Sequence, residues 1–178
     1  MTSTDKDSGR RMAELTPLRA ALFVLAVSFA TITGAWIFEW AGYAPCDLCL
    51  KQRWAYYAGV PLALLAVAAA FFLQRGVAIP LLGLLGVVFV ASAVFGAYHA
   101  GVEWKFWDGP AGCTGAIPQK ALSMDDFRKQ LETVRVVRCD EVAIRIFGLS
   151  LAGWNAVISL VLAGVAFKPV LAGSGSHS

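Results

Sequence analysis

Long apolar runs broken by short polar stretches set the plan of this chain. Four runs stand out: Ala20–Ile37, Trp54–Leu73, Val77–Ala97 and Ile146–Phe167. Each comes close to the roughly 20 apolar residues needed to cross a hydrocarbon core about 30 Å thick, so each predicts a membrane-spanning helix. Small residues in the first run (Ala26, Ser28, Ala30, Gly34) let a neighbouring helix approach closely. Only Gln74, Arg75 and Gly76 separate the second and third runs, which predicts a tight antiparallel hairpin. The first run is too long for the apolar region of a signal peptide, and no small-x-small cleavage site precedes a soluble body. It is expected to stay in place as a span.

The polar stretches between runs are unequal. A first loop covers about 38–53, and a second covers about 98–145. Within the second, Ser123-Met124-Asp125-Asp126 has the form of a helix start. Phe127, Leu131 and Val134 then recur at i, i+4 and i+7 among Arg128, Lys129, Glu132 and Arg135. That pattern predicts a short amphipathic helix lying on the membrane surface. The Gly/Ser-rich end, 173–178, is expected to be a disordered tail. No internal repeat is visible, and the remainder, 1–172, reads as one all-α integral membrane domain.

Composition agrees with this reading. Apolar residues make up 58% and charged residues 15%, against about 45–50% and about 25% in soluble domains. The net charge of +3 makes no case for nucleic-acid binding. Where the charges fall matters more than their sum. Lys6, Arg10, Arg11 and Arg19 precede the first span, Arg75 sits in the hairpin turn, and Lys168 follows the last span. With four spans these segments share one side, which the positive-inside rule makes cytoplasmic. Both loops then emerge on the opposite, outer side. Cys46 and Cys49 lie in the first loop, Cys113 and Cys139 in the second, so all four cysteines face a compartment where disulfides persist.

The first pair belongs to Pro45-Cys46-Asp47-Leu48-Cys49-Leu50-Lys51-Gln52-Arg53-Trp54. A Cys-x-x-Cys at the head of a helix closes a small ring that constrains the unfolded chain little, so it suits being made and broken. The partial positive charge of a helix N-terminus favours a thiolate. Arg53 falls one turn after Cys49 on the same face, a fixed cation for either the Cys49 thiolate or an anion developing on a ligand. Asp47 acts the other way. The competing readings are a structural disulfide beside a snorkelling arginine, and a zinc site. Zinc needs four ligands together, and Cys113 and Cys139, 26 residues apart, lack the tight spacing of a second half-site. A haem attachment needs His where Leu50 stands.

The Cys113 end is flanked by Pro110, Gly112, Gly115 and Pro118, which predicts mobility. A bond there would tether the amphipathic helix or, beside a Cys-x-x-Cys on the same face, take part in exchange with it. Aromatics gather at the same boundary: Trp40, Trp54, Tyr56, Tyr57, Tyr98, Trp104, Phe106 and Trp107. Most read as interfacial anchors. His99 ends the third run at that level. Continuous thiol oxidation needs an electron acceptor, and the chain has no nucleotide fingerprint, Walker loop or haem motif. A membrane quinone is the acceptor that a thiolate beside a fixed cation at the lipid boundary would suit.

The Cys-x-x-Cys heading span two and followed by Gln52-Arg53, the tight hairpin, and a second pair before span four together resemble the bacterial disulfide bond formation protein B (DsbB) family, over about 18–168. The reverse order of pairs would have suggested the vitamin K epoxide reductase type. The resemblance implies a four-helix bundle in the bacterial inner membrane, with both cysteine pairs periplasmic and both termini cytoplasmic. It implies a Cys113–Cys139 disulfide that reoxidises a DsbA-like periplasmic thioredoxin-fold protein, with Cys113 taking the partner's thiolate. Electrons would then pass to Cys46–Cys49. Cys49 would engage ubiquinone or menaquinone with help from Arg53, and His99 sits where the family has a histidine near the quinone. The alternative from another class is a membrane scaffold with two structural disulfides.

Overall fold

The computed structural model describes residues 3–72, 75–110, 113, 123–125 and 138–174. Four long helices dominate: α1 (Ser3–Trp40), α2 (Asp47–Phe72), α3 (Arg75–Glu103) and α4 (Leu151–Ser174). Each contains a stretch long and apolar enough to cross a membrane: Pro17–Trp40, Asp47–Phe72, Gly76–Glu103 and Leu151–Ala172. Only 22–33% of each apolar window is buried inside the protein. The rest faces outward, with Phe29, Leu64, Phe71, Val94 and Leu160 among the exposed side chains. That distribution suits a lipid solvent, in which apolar exposure costs nothing. The chain is a multi-pass membrane protein folded as a helical bundle.

Neighbouring helices pack around the bundle in chain order, and α4 closes against both α3 and α1. Small residues make the close approaches. A Cβ on Gly96 would stand 2.9 Å from the backbone nitrogen of Ala156, so α3 and α4 meet there almost backbone to backbone. A buried polar cluster ties the same level together. Tyr56 donates to Asn155 Oδ1 at 2.6 Å, and Ser159 donates to Ser92 at 2.9 Å, linking α2, α3 and α4. Hydrogen bonds of this kind contribute about 0.6–2 kcal/mol each in a bilayer.

The ends of the spans differ from the expected limits, and every difference bears on the site. α2 begins at Asp47, well before Trp54, because Cys46 caps it. Cys46 Sγ accepts the Cys49 N–H at 3.3 Å, and the Cys46 carbonyl accepts the Leu50 N–H at 3.0 Å. α3 continues to Glu103 and stops in a Schellman turn. Phe106 N–H donates to the Gly101 carbonyl and Lys105 N–H to that of Val102, with Lys105 left-handed at φ 62°. α1 ends the same way at Gly42, where φ is 94°. Ile146, expected at the start of the fourth span, lies instead in a two-strand hairpin, β1 (Arg145–Ile146) with β2 (Leu149–Ser150). Its turn residues Phe147 and Gly148 both have positive φ, which a helix does not accommodate. Ser150 then caps α4 by accepting the Gly153 N–H at 3.1 Å.

α4 runs through Ser174, so the helix takes in the first residues of the expected tail; 175–178 fall outside the described residues. So does nearly all of the expected amphipathic helix, including Phe127, Leu131 and Val134.

Candidate functional site

The loop-side end of the bundle collects the chemistry. Cys46 is 3% exposed and Cys139 1% exposed, and the two share one buried cluster with Leu48, against which Cys49, Cys113 and Phe95 pack. Cys113 and Cys139 form a disulfide with Cα atoms 5.5 Å apart. Cys46 and Cys49 are free thiols whose sulfurs lie 2.8 Å apart. The four cysteines singled out in the sequence, in loops separated by a whole helical hairpin, are thus brought together.

The first pair rides on the first turn of α2, where unpaired N–H groups and the helix dipole favour negative charge. The Cys46 thiol is pushed down to about 5, chiefly by the hydrogen bond from the Cys49 thiol. Burial opposes this, and His99 adds to it. Asp47 does not stand against the pair unbalanced: its carboxylate bridges to Lys51 at 2.7 Å, with both side chains largely in solvent.

His99, carried on the extension of α3, is 1% exposed. Its Nε2 lies 3.7 Å from Cys46 Sγ and its Nδ1 2.6 Å from Gln52 Nε2. Gln52 was named in the sequence only as part of the motif, beside Arg53, and was given no role of its own. It lies on the buried face of α2 with Leu48 and Tyr56, and a polar residue on the inner face of a membrane helix is itself a functional signal. Ligand atoms of Cys46, Cys49 and His99 all fall within 4.8 Å of one another. The two loop sulfurs, bonded to each other, bring no thiolate to make up a four-ligand zinc set.

Arg53 has a different setting from the one its spacing suggests. Its guanidinium donates to Glu39 at 2.6 Å and to the Ala35 carbonyl at 3.4 Å, both on α1, and its side chain is only 12% exposed. The cation is held at the α1–α2 seam. Close by in sequence on the same two helices, Trp36 donates to the Tyr57 hydroxyl at 3.3 Å, with ring centroids 6.4 Å apart. Glu39 was missed because an acid at the end of an apolar run reads simply as the membrane boundary.

Around the second pair the setting is polar. A cavity of about 530 Å³ lies over the disulfide, lined by Cys113, Cys139, Lys105, Trp107, Asp108 and Arg138, among others. Asp140 accepts a two-pronged contact from Arg138 at 3.0 Å and one from Lys105 at 2.5 Å. Lys105 and Arg138 hold its carboxyl down at about 2. Trp107 stacks on Tyr98 with centroids 5.9 Å apart and donates to the Tyr98 carbonyl at 3.1 Å. Its indole occupies the space a side chain on Gly101 would need.

The chain matches the family described as disulfide bond formation protein DsbB over residues 17–168. It belongs to the DsbB family. Within this DsbB-family chain the matched region holds all four cysteines, Arg53, Gln52 and His99. A relative at 26% identity is an uncharacterized protein of Rickettsia prowazekii (strain Madrid E), with 79% of this chain and 80% of the relative covered. No solved structure matches the chain.

Proposed function

We propose that the chain is a membrane thiol oxidase that reoxidises a periplasmic DsbA-type dithiol protein and hands the electrons to a membrane quinone, ubiquinone or menaquinone. The observation that carries this reading is the shared burial of Cys46 and Cys139, which puts the two pairs in contact. Exchange needs sulfur to reach sulfur. A partner dithiol attacks Cys113–Cys139, the partner leaves as a disulfide, and the loop pair is reduced. The loop dithiol then exchanges with a Cys46–Cys49 disulfide, so two electrons come to rest on Cys46 and Cys49.

Quinone supplies a two-electron, two-proton acceptor soluble in the hydrocarbon. The residues present suit such a ring. Cys49 is half-buried at the head of α2. Arg53 is a fixed cation at the α1–α2 seam, and Trp36 and Tyr57 offer flat faces on the lipid side. His99 lies against Cys46 Sγ. In this reading Cys49 is the sulfur that faces the acceptor, while Arg53 and His99 line the approach. The cationic flanks Arg19, Arg75 and Lys168 support cytoplasmic termini and a periplasmic site.

The test uses purified protein, a reduced DsbA-type partner and a soluble ubiquinone analogue, with a menaquinone analogue in parallel. Quinone absorbance should fall only when the dithiol partner is present. No loss with either quinone, from folded protein, would reject the reading in favour of a membrane scaffold with structural disulfides.

A further inference from the structure

A buried imidazole needs a partner for each ring nitrogen, and both partners of His99 are identifiable. An amide nitrogen can only donate. With Gln52 Nε2 at 2.6 Å, Nδ1 of His99 must accept, and the ring proton sits on Nε2. That proton points at Cys46 Sγ, 3.7 Å away. Gln52 is itself 8% exposed and fixed on the inner face of α2. The tautomer of a ring on α3 is therefore set by the packing of α2 against it.

We propose that Gln52 and His99 form a hydrogen-bond relay that holds negative charge on Cys46: Gln52 fixes the Nε2–H tautomer, and His99 Nε2–H stabilises the Cys46 sulfur whenever it is released as a thiolate. His99 touches the reacting sulfur, and Gln52 is a positioning residue acting through it. The inference rests on the exchange reading above and assigns one step within it. Cys46 and Cys139, which share a buried cluster, form the mixed disulfide between the pairs. Cys113 thiolate attacks Cys139, the Cys113–Cys139 bond forms, the Cys139–Cys46 bond breaks, and its electron pair goes to Cys46 Sγ. The negative charge moves from Cys113 to Cys46, where Nε2–H receives it, and no outside acid is consumed. The same thiolate stands 2.8 Å from Cys49 Sγ, ready to close that disulfide when the electron pair leaves.

Other charged groups face the same cleft. Glu103 comes from α3, Arg138 and Glu141 from the second loop, while α4 contributes the uncharged Leu151. Arg145 acts on Glu103. Asp47 and Lys51, on α2, are paired with each other, and Arg53 is paired with Glu39 of α1. Among the described residues of the other helices, His99 is the one whose side chain reaches hydrogen-bonding distance of Cys46 Sγ.

The test needs neither partner nor quinone, so its failure and the failure of the oxidase reading are separable. Fully reduced, quinone-free, full-length protein is titrated anaerobically, following the ultraviolet absorbance of the first thiolate to form. His99→Ala and Gln52→Leu should each raise its midpoint by about one pH unit, a tenfold loss of thiolate stability. Ring 15N shifts of wild-type His99 should show Nε2 protonated and Nδ1 bare. An unmoved midpoint in His99→Ala overturns the relay. An unmoved midpoint in Gln52→Leu overturns the positioning role. A ring proton found on Nδ1 in wild-type protein overturns the proposal without any variant, which covers the case of substitutions that do not fold.

Discussion

The two cysteine pairs occupy the same end of the bundle but are held by opposite means. Cys46 and Cys49 are built into a helix: one sulfur caps α2, the other rides its first turn, and α3 brings His99 against them. Cys113 and Cys139 are held by loop contacts. The Cys139 N–H donates to the Cys113 carbonyl at 3.1 Å, and Asp140 is held by Lys105 and Arg138. In the proposed reaction the loop pair meets a protein partner, and the polar cavity over it suits that role. In the same proposal the helix pair holds the electrons beside lipid, and burial and fixed hydrogen bonds suit that role. The two pairs should therefore respond differently to the same kinds of perturbation.

The largest effect is expected from Cys49→Ser. Loss of the sulfur should reduce quinone turnover by at least about a thousandfold, while a single oxidising equivalent at Cys113–Cys139 still passes to a reduced partner in a stopped reaction. Equal loss of both reactions would erase the division of labour between the pairs.

Next comes Gly101→Ala. The added Cβ falls where the Trp107 indole lies. Overpacking of this sort costs about 1–3 kcal/mol, and here it should fall on the segment leading to Cys113. Partner oxidation should slow several-fold and proteolysis between α3 and α4 should speed up, with the reactivity of Cys46 and Cys49 unchanged. A thermal melt and limited digestion would check this.

The spans themselves were legible because apolar runs of the right length have few other uses. Their ends were not. The apolar pattern of α2 breaks at Lys51-Gln52-Arg53, yet the helix reaches back to Asp47 because a sulfur caps it. His99 and the four cysteines could be named from spacing and membrane side. The pairing of Gln52 with His99 spans 47 residues and depends on how two helices face each other. The diversion of Arg53 to Glu39 likewise depends on the rotation of α1. Residue type and spacing identify which groups can react; packing decides which of them meet.

A smaller effect separates the pairs by pH. The Cys46 thiol lies below its ordinary 9.0, at about 5. A depressed acid stabilises the folded state fully above the ordinary value, and that contribution is lost as pH falls through the folded value. The reduced protein should therefore lose stability steadily from about pH 9 to about pH 5, and Cys46→Ala should not show this component. Melting temperatures of the two proteins across that range would decide it. If the slopes coincide, the charge on Cys46 is not coupled to folding.

The smallest effect is expected from Asp140→Asn. This carboxylate is partly exposed and is held at about 2 by the exposed Lys105 and Arg138, and ion pairs with such exposed partners contribute little. The contact should be present above pH 3.8 and fade as pH falls through about 2. At neutral pH the variant should change the rate of partner oxidation less than threefold and more strongly at low salt, because exposed charges are screened. A tenfold change would mean that the ion pairs, rather than the sulfur cluster beneath them, fix the loop pair.

The cap on α2 gives the membrane helix a chemically variable first turn. Most helix caps are permanent: a serine oxygen accepts the same amide for the life of the protein. Here the acceptor for the Cys49 amide is the Cys46 sulfur, 3.3 Å away. A thiolate sulfur accepts that hydrogen bond more strongly than a sulfur tied up in a disulfide. The oxidation level of the pair is therefore written into the backbone of the helix that carries it, and amide hydrogen exchange at Cys49 becomes a dye-free gauge of where the electrons are.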